Sequence, residues 1–375
     1  MAKEKSIDVP APRENHLLFG HEAAEQQFLR EMAQGKLHHA YLMAGPKGIG
    51  KATLAYRLAR HILAEGAVKA KKQEEAGFSL FGDALPEPAP VVATAGITPD
   101  DPLFRRIAAG SHTDLLVLAP AYDKKKDAEK NIISVEDARK VPEFLSLTPA
   151  EGAWRVVIVD AVDQLNVNAA NALLKILEEP PAQAILLLVC HEAGGILPTI
   201  RSRCRKFVMA APDRQAFDQA LRHVAPEIPA SDYSALHALA GGSPGFAITL
   251  YAHDGLKLYQ QWLAALQPDA SLVTRQRFAE LAATQKSPDA WRCLMHGWQT
   301  AITRVSLHPH PAGAPIFHGE AEQLAAIAAA TLPAERARWL ANAGRLLGAT
   351  ETFNLEKRQS IAMMLDPGLL DRLAA

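Results

Sequence analysis

The segment Gly45-Pro46-Lys47-Gly48-Ile49-Gly50-Lys51 constrains this chain more than any other. A short apolar run at 40–44 precedes it, and an apolar pattern at Leu54, Leu58, Ile62 and Leu63, spaced as one face of a helix, follows. Strand, glycine loop and helix in that order build a phosphate cradle from backbone N–H groups, with a lysine placed to reach the phosphates. The cradle is incomplete. The residue after the lysine should carry a hydroxyl for Mg²⁺, and it is Ala52. Thr53 does not substitute, because one residue turns a side chain by about 100° around the helix axis. A second lesion lies downstream. Residues 155–160, Arg-Val-Val-Ile-Val-Asp, read as a buried strand ending in a Walker B aspartate, Asp160. Many P-loop ATPases follow it with a glutamate that orients the attacking water; this chain has Ala161.

At 375 residues the chain predicts two or three domains. A formal net charge of −1 supplies no global attraction to nucleic acid or anionic membrane, so any DNA contact needs a local patch. Three distant cysteines, Cys190, Cys204 and Cys293, argue against a disulfide framework and fit a reducing cytoplasm. Residues 1–14 are charged and lack the apolar core of a signal peptide. The longest apolar run, 184–190, is too short to span a bilayer. The expected location is cytoplasmic, with no membrane partner.

Alternating helix and strand patterns continue to about residue 210 and predict a mainly parallel sheet covered by helices on both faces. Helices are expected at 23–32, 103–109 and 166–179, with strands at 114–118, 184–190 and 206–209 and a helix or turn at 197–203. Ser134 with Asp137 marks a helix start, and Pro142 is expected to kink or shorten that helix. Residues 66–102, rich in Ala, Glu, Lys and Pro, read as a largely disordered surface insertion. Residues 123–130 read as a charged loop. Beyond Pro212 the patterns are helical: three short helices at 213–224, 231–240 and 243–251, then an Ala/Leu-rich region interrupted by a loop at 308–315.

Four stretches carry a resemblance. Residues 166–181, Asn-Val-Asn-Ala-Ala-Asn-Ala-Leu-Leu-Lys-Ile-Leu-Glu-Glu-Pro-Pro, form the most specific one. Ser202-Arg203-Cys204 follows the next strand, and His38-His39-Ala40-Tyr41-Leu42 and His112-Thr113-Asp114 precede strands. Together they resemble the clamp-loader branch of the AAA+ ATPases. The resemblance covers about 15–250 and is carried mainly by helical composition beyond. It implies an α/β P-loop AAA+ core over 1–210, an all-α lid over 211–254 and an all-α C-terminal collar domain over 255–375. It further implies a non-hydrolysing stator of a bacterial clamp loader, a subunit of a DNA-directed DNA polymerase holoenzyme. The expected partners are ATPase subunits, a clamp-opening subunit, a sliding clamp and, through the complex, primed DNA.

Site residues follow from the same match. Gly45, Lys47, Gly48, Gly50, Lys51 and Asp160 form the nucleotide-binding set. Two readings of it stay open, ATP held without hydrolysis and a vestigial empty loop. Arg203 corresponds to the arginine that reaches into a neighbour's ATP site in that family; taken alone, Arg201, Arg203, Arg205 and Lys206 are a solvated basic face. Gly245 stands where hydrolysing relatives carry a lid arginine. Family members usually carry a four-cysteine zinc module after the P-loop helix, but residues 66–110 contain neither Cys nor His, so no zinc is expected. Phe78-Ser79-Leu80-Phe81 loosely resembles a clamp-docking peptide without its leading Gln, and local packing is its simpler reading. Two rival functions are an active ATP-hydrolysing motor subunit, opposed by Ala52, Ala161 and Gly245, and a free-standing P-loop switch, opposed by the helical tail and Ser-Arg-Cys.

Overall fold

The computed structural model describes residues 7–77, 97–120, 122–123, 128–129, 132–285, 287–309, 313–353 and 355–366. The chain divides into two compact units. One is Val9–Ala220; the other is built on Leu221–Ala375.

The first unit is the expected α/β layer. In chain order it contains α1 (Glu22–Ala33), β1 (Ala40–Ala44), α2 (Lys51–Gly77), α3 (Pro102–Ala108) and β2 (Leu115–Leu118). A short hairpin, β3 (Tyr122–Asp123) and β4 (Ala128–Glu129), leads to α4 (Val135–Ser146) and β5 (Arg155–Asp160). Then come α5 (Val167–Glu178), β6 (Ala184–Cys190), α6 (Pro198–Ser202) and β7 (Arg205–Val208), and α7 (Arg214–Val224) crosses the division at Leu221. Five strands form one parallel sheet in the order β2-β5-β6-β1-β7.

Side chains of a strand alternate between faces, and both faces here are apolar. Tyr41, Met43, Val156, Ile158, Ile185, Leu187 and Val189 pack with Phe28 of α1 and Leu54, Leu58 and Ile62 of α2. Ala40, Leu42, Val157, Val159, Leu186 and Leu188 pack on the opposite face with Val141 and Leu145 of α4 and Leu173, Ile176 and Leu177 of α5. Burial on both sides explains why β5 and β6 are continuous apolar runs.

Two expectations are corrected. The segment expected to be a loop from residue 66 instead continues α2 as far as Gly77. Its Ala, Lys, Gln and Glu content is polar but strongly helix-forming; Phe78 to Phe81 lie outside the described residues. The expected charged loop at 123–130 contains the antiparallel pair β3–β4, with Tyr122 opposite Glu129. Pro142, expected to kink or shorten its helix, lies inside α4, which runs on to Ser146. That helix starts as expected, with the Ser134 hydroxyl accepting from Asp137 N at 3.2 Å.

The second unit is helical: α8 (Tyr233–Leu239), α9 (Pro244–Ala252), α10 (Gly255–Leu266), α11 (Leu272–Ala283), α12 (Pro288–Ser306), α13 (Glu320–Ala329), α14 (Pro333–Phe353) and α15 (Lys357–Met364). Trp262 of α10 and Trp298 of α12 are fully buried, and the Trp262 indole donates to Leu294 O at 2.7 Å. Glu320, 1% exposed, is the polar centre of this unit. No described helix is long and apolar enough to cross a membrane.

Candidate functional site

The parallel register brings Ala44, Asp160 and Cys190 together at the carboxyl edge of the sheet: Ala44 pairs with Cys190, and Asp160 with Val189. Ligands of open α/β sheets bind at that edge. The glycine loop leaves β1 there. A Cβ on Gly45 would lie 2.1 Å from Met209 O, so only glycine lets the loop pass β7. Gly50, at φ +102, completes the turn into α2, whose first residue is Lys51.

Lys51 is 2% exposed. Its ammonium donates to Gly45 O at 2.7 Å and also to Pro46 O. Burial lowers its pKa to about 8, against the opposing pull of the Asp160 carboxylate. The lysine therefore satisfies its own loop. Ala52 and Thr53 follow in the first turn of α2, and the next residue, Leu54, is buried in the core. The donor set does not fit Mg²⁺, because position 52 offers a methyl group where a hydroxyl ligand is needed. Ala161, after Asp160, is fully buried and apolar. The two carbonyls take up two of the three ammonium donors.

The lowered pKa gives a testable pH dependence. A lysine with folded pKa near 8 and unfolded pKa near 10.5 binds fewer protons when folded, so its neutral form favours the fold. Its contribution is fully present above the unfolded value and is lost as pH falls through the folded value. Relative to Lys51→Met, the wild type should gain about 1 kcal/mol of stability between pH 7 and pH 9. Denaturant unfolding of both proteins at the two pH values measures this; a pH-independent difference would show that Lys51 does not titrate there.

Of two side chains that the motif does not contain, His21 holds the loop and Asp163 holds the chain beside it. His21, 6% exposed, donates through Nε2 to Ile49 O at 2.6 Å, and burial lowers its pKa. Asp163 accepts from His191 N at 2.9 Å and Glu192 N at 3.2 Å, fixing the chain that leaves β6. Burial and the nearby Lys51 charge push His191 down to about 4.

His112 and Asp114, matched at the sequence level only as motif residues, have a structural task. Asp114 N donates to His112 Nδ1 at 3.1 Å. The fully buried Asp114 carboxylate accepts from Ala150 N and Glu151 N at 2.8 and 2.9 Å. That ties the loop before β5 to the start of β2.

Arg203 sits away from this loop, at the end of α6. Its Nη1 donates to Thr199 O at 3.0 Å, and its Nη2 pairs with Glu178 Oε1 of α5 at 2.9 Å. Arg205 is separately paired with Glu31 of α1 at 3.1 Å, so the basic cluster is divided between two acidic partners. Cys204 is buried and donates to Ile200 O at 3.1 Å, and burial pushes its thiol up to about 12. It packs; it does not react. The structure thus gathers Gly45, Lys47, Gly48, Gly50 and Lys51 in one loop with Asp160 beside it, and leaves Arg203 on a separate surface.

Residues 20–77 and 102–213 match the family model described as DNA polymerase III, delta subunit. The DNA polymerase III subunit delta' of Pseudomonas aeruginosa is 35% identical over 221 residues, 58% of this chain and 58% of that one. The delta' subunit of Escherichia coli is 32% identical over 234 residues, 62% of this chain and 60% of that one. The tau subunit of Escherichia coli is 29% identical over 235 residues, 62% of this chain and 30% of that one. The chain therefore spans less than two thirds of the length of the curated relatives it matches.

Proposed function

This chain belongs to the DNA polymerase III delta-prime subunit family, and from that premise we propose that it is a non-hydrolysing stator of a bacterial clamp loader. It holds a hetero-oligomer of ATPase subunits and a clamp-opening subunit together, and supplies Arg203 to the ATP site of a neighbour. The reaction served is ATP-driven loading of a sliding clamp onto primed DNA, in the cytoplasm. In this reading residues 211–254 act as a lid and 255–375 as the collar through which the subunits associate.

One observation carries the non-hydrolysing part. Two positions that must hold a metal ligand and a water-orienting acid hold Ala52, in the first turn of α2, and the buried Ala161. Gly245, in the first turn of α9, supports it as the counterpart of a lid arginine. The family relationship to tau supports the choice of partner, since tau is a DNA polymerase III subunit.

The purified chain should show no ATPase activity above background, with or without primed DNA, and Ala52→Thr should not create any, because Ala161 leaves the water unoriented. The same preparation, made without chelator, should contain no stoichiometric zinc. Turnover that depends on Mg²⁺ and disappears in Lys51→Ala would replace the stator with the motor reading. Failure to co-purify with the ATPase subunits would favour the free-standing switch.

A further inference from the structure

We propose that Glu178 is a positioning residue for Arg203, setting the guanidinium in place before a neighbouring subunit presents its nucleotide. This rests on the trans-acting role of Arg203 given above and names a second residue of the same device.

The backbone around both groups is fixed. Arg203 N donates to Ile200 O at 3.1 Å, and the next residue, Cys204, is buried. Glu178 is the last residue of α5, directly after the buried Ile176 and Leu177. The side-chain tips remain accessible, at 35% for Arg203 and 50% for Glu178. That exposure decides what the pair is for. Exposed ion pairs contribute little to stability because water screens them and the side chains lose entropy. Yet the guanidinium is anchored at two points, Thr199 O and Glu178 Oε1. A free arginine must lose its rotamer freedom when it docks; an anchored one has lost much of it already. A guanidinium also has more N–H donors than these two bonds use, so it can meet an anion without leaving either anchor.

Charge and hydrogen bonding predict different outcomes on substitution. Glu178→Gln keeps an oxygen acceptor at the same place and removes the charge. Glu178→Ala removes both. If Glu178 positions Arg203, the Ala variant should lower single-turnover ATP hydrolysis at the facing site by about 3- to 10-fold, the cost of ordering one long side chain. The apparent affinity for ATP should change little, because the contact acts in the transition state. The Gln variant should retain most of the rate. In an Arg203→Ala background, Glu178→Ala should add almost nothing, since both act through one guanidinium.

The experiment uses the full chain reconstituted with its ATPase and clamp-opening subunits. Assembly is checked by gel filtration and folding by melting temperature, both expected to be unchanged. A wild-type rate in Glu178→Ala overturns the proposal, and so does a faster rate, which would make Glu178 a restraint on Arg203. Additive losses in the double variant overturn it as well. If Arg203→Ala itself has no effect, the trans-acting reading fails and takes this role with it. If Arg203→Ala slows hydrolysis and Glu178→Ala does not, the positioning role alone fails.

Discussion

Arg203→Ala should leave folding and assembly intact and slow ATP hydrolysis at the neighbouring site by about 10³- to 10⁵-fold. A guanidinium close to a transferring phosphoryl group neutralises charge that builds in the transition state, and its removal is felt mainly in rate. Truncation at Arg203 should be structurally mild, because its contacts are one backbone carbonyl, Thr199 O, and a half-exposed carboxylate, Glu178. In a complex with several ATP sites the total rate should fall less than the rate at the facing site. Clamp loading should fall more steeply if the sites fire in concert. Reconstituted complexes assayed for DNA-stimulated hydrolysis and for loading give the measurement. Normal hydrolysis by a correctly assembled variant complex would return Arg203 to a solvated basic face.

The second large effect concerns stability. Glu320→Ala should destabilise the helical unit by about 3–5 kcal/mol. Its carboxylate is 1% exposed and accepts from Tyr259 Oη at 2.5 Å, Ile316 N at 2.6 Å and Arg304 Nη2 at 3.2 Å. Arg304 is itself 6% exposed, and its Nη2 also donates to Ala314 O at 3.1 Å. Truncating the acid leaves a cation buried without its counter-charge, which costs more than the pair contributes when intact. Glu320→Gln keeps an acceptor and should cost less. Denaturant unfolding followed by tryptophan fluorescence reads this unit through Trp262 and Trp298, and the curve should be fitted without assuming a single transition, since the chain has two units. A loss below about 1 kcal/mol, the range of an exposed pair, would mean that the network is solvated.

The α/β core was legible because its signals are local. Strands β5 and β6 have the bounds that their apolar runs indicated, Arg155–Asp160 and Ala184–Cys190. Ala52 and Ala161 could be located by counting from a motif, and they lie in the first turn of α2 and directly after β5. Local composition misled where polarity stood in for shape: the polar stretch at 66–77 continues α2, because helix propensity and polarity coincide in Lys, Glu and Gln.

Polar contacts across the sheet were decided by tertiary structure alone. His21 meets Ile49 O, Asp163 meets His191 N, and Asp114 meets Ala150 N, each pair far apart in the chain. No periodicity marks such residues, because their partners are set by strand order and register. The same holds for Lys51 and Arg203. The sequence determined that a lysine follows the glycine loop and that an arginine stands between Ser202 and Cys204. Only the packed sheet decided that Lys51 turns onto Gly45 O and Pro46 O, and only the juxtaposition of α5 and α6 brought Glu178 to Arg203. Hydrophobic pattern is written along the chain, whereas the direction of a charge depends on which other element arrives beside it.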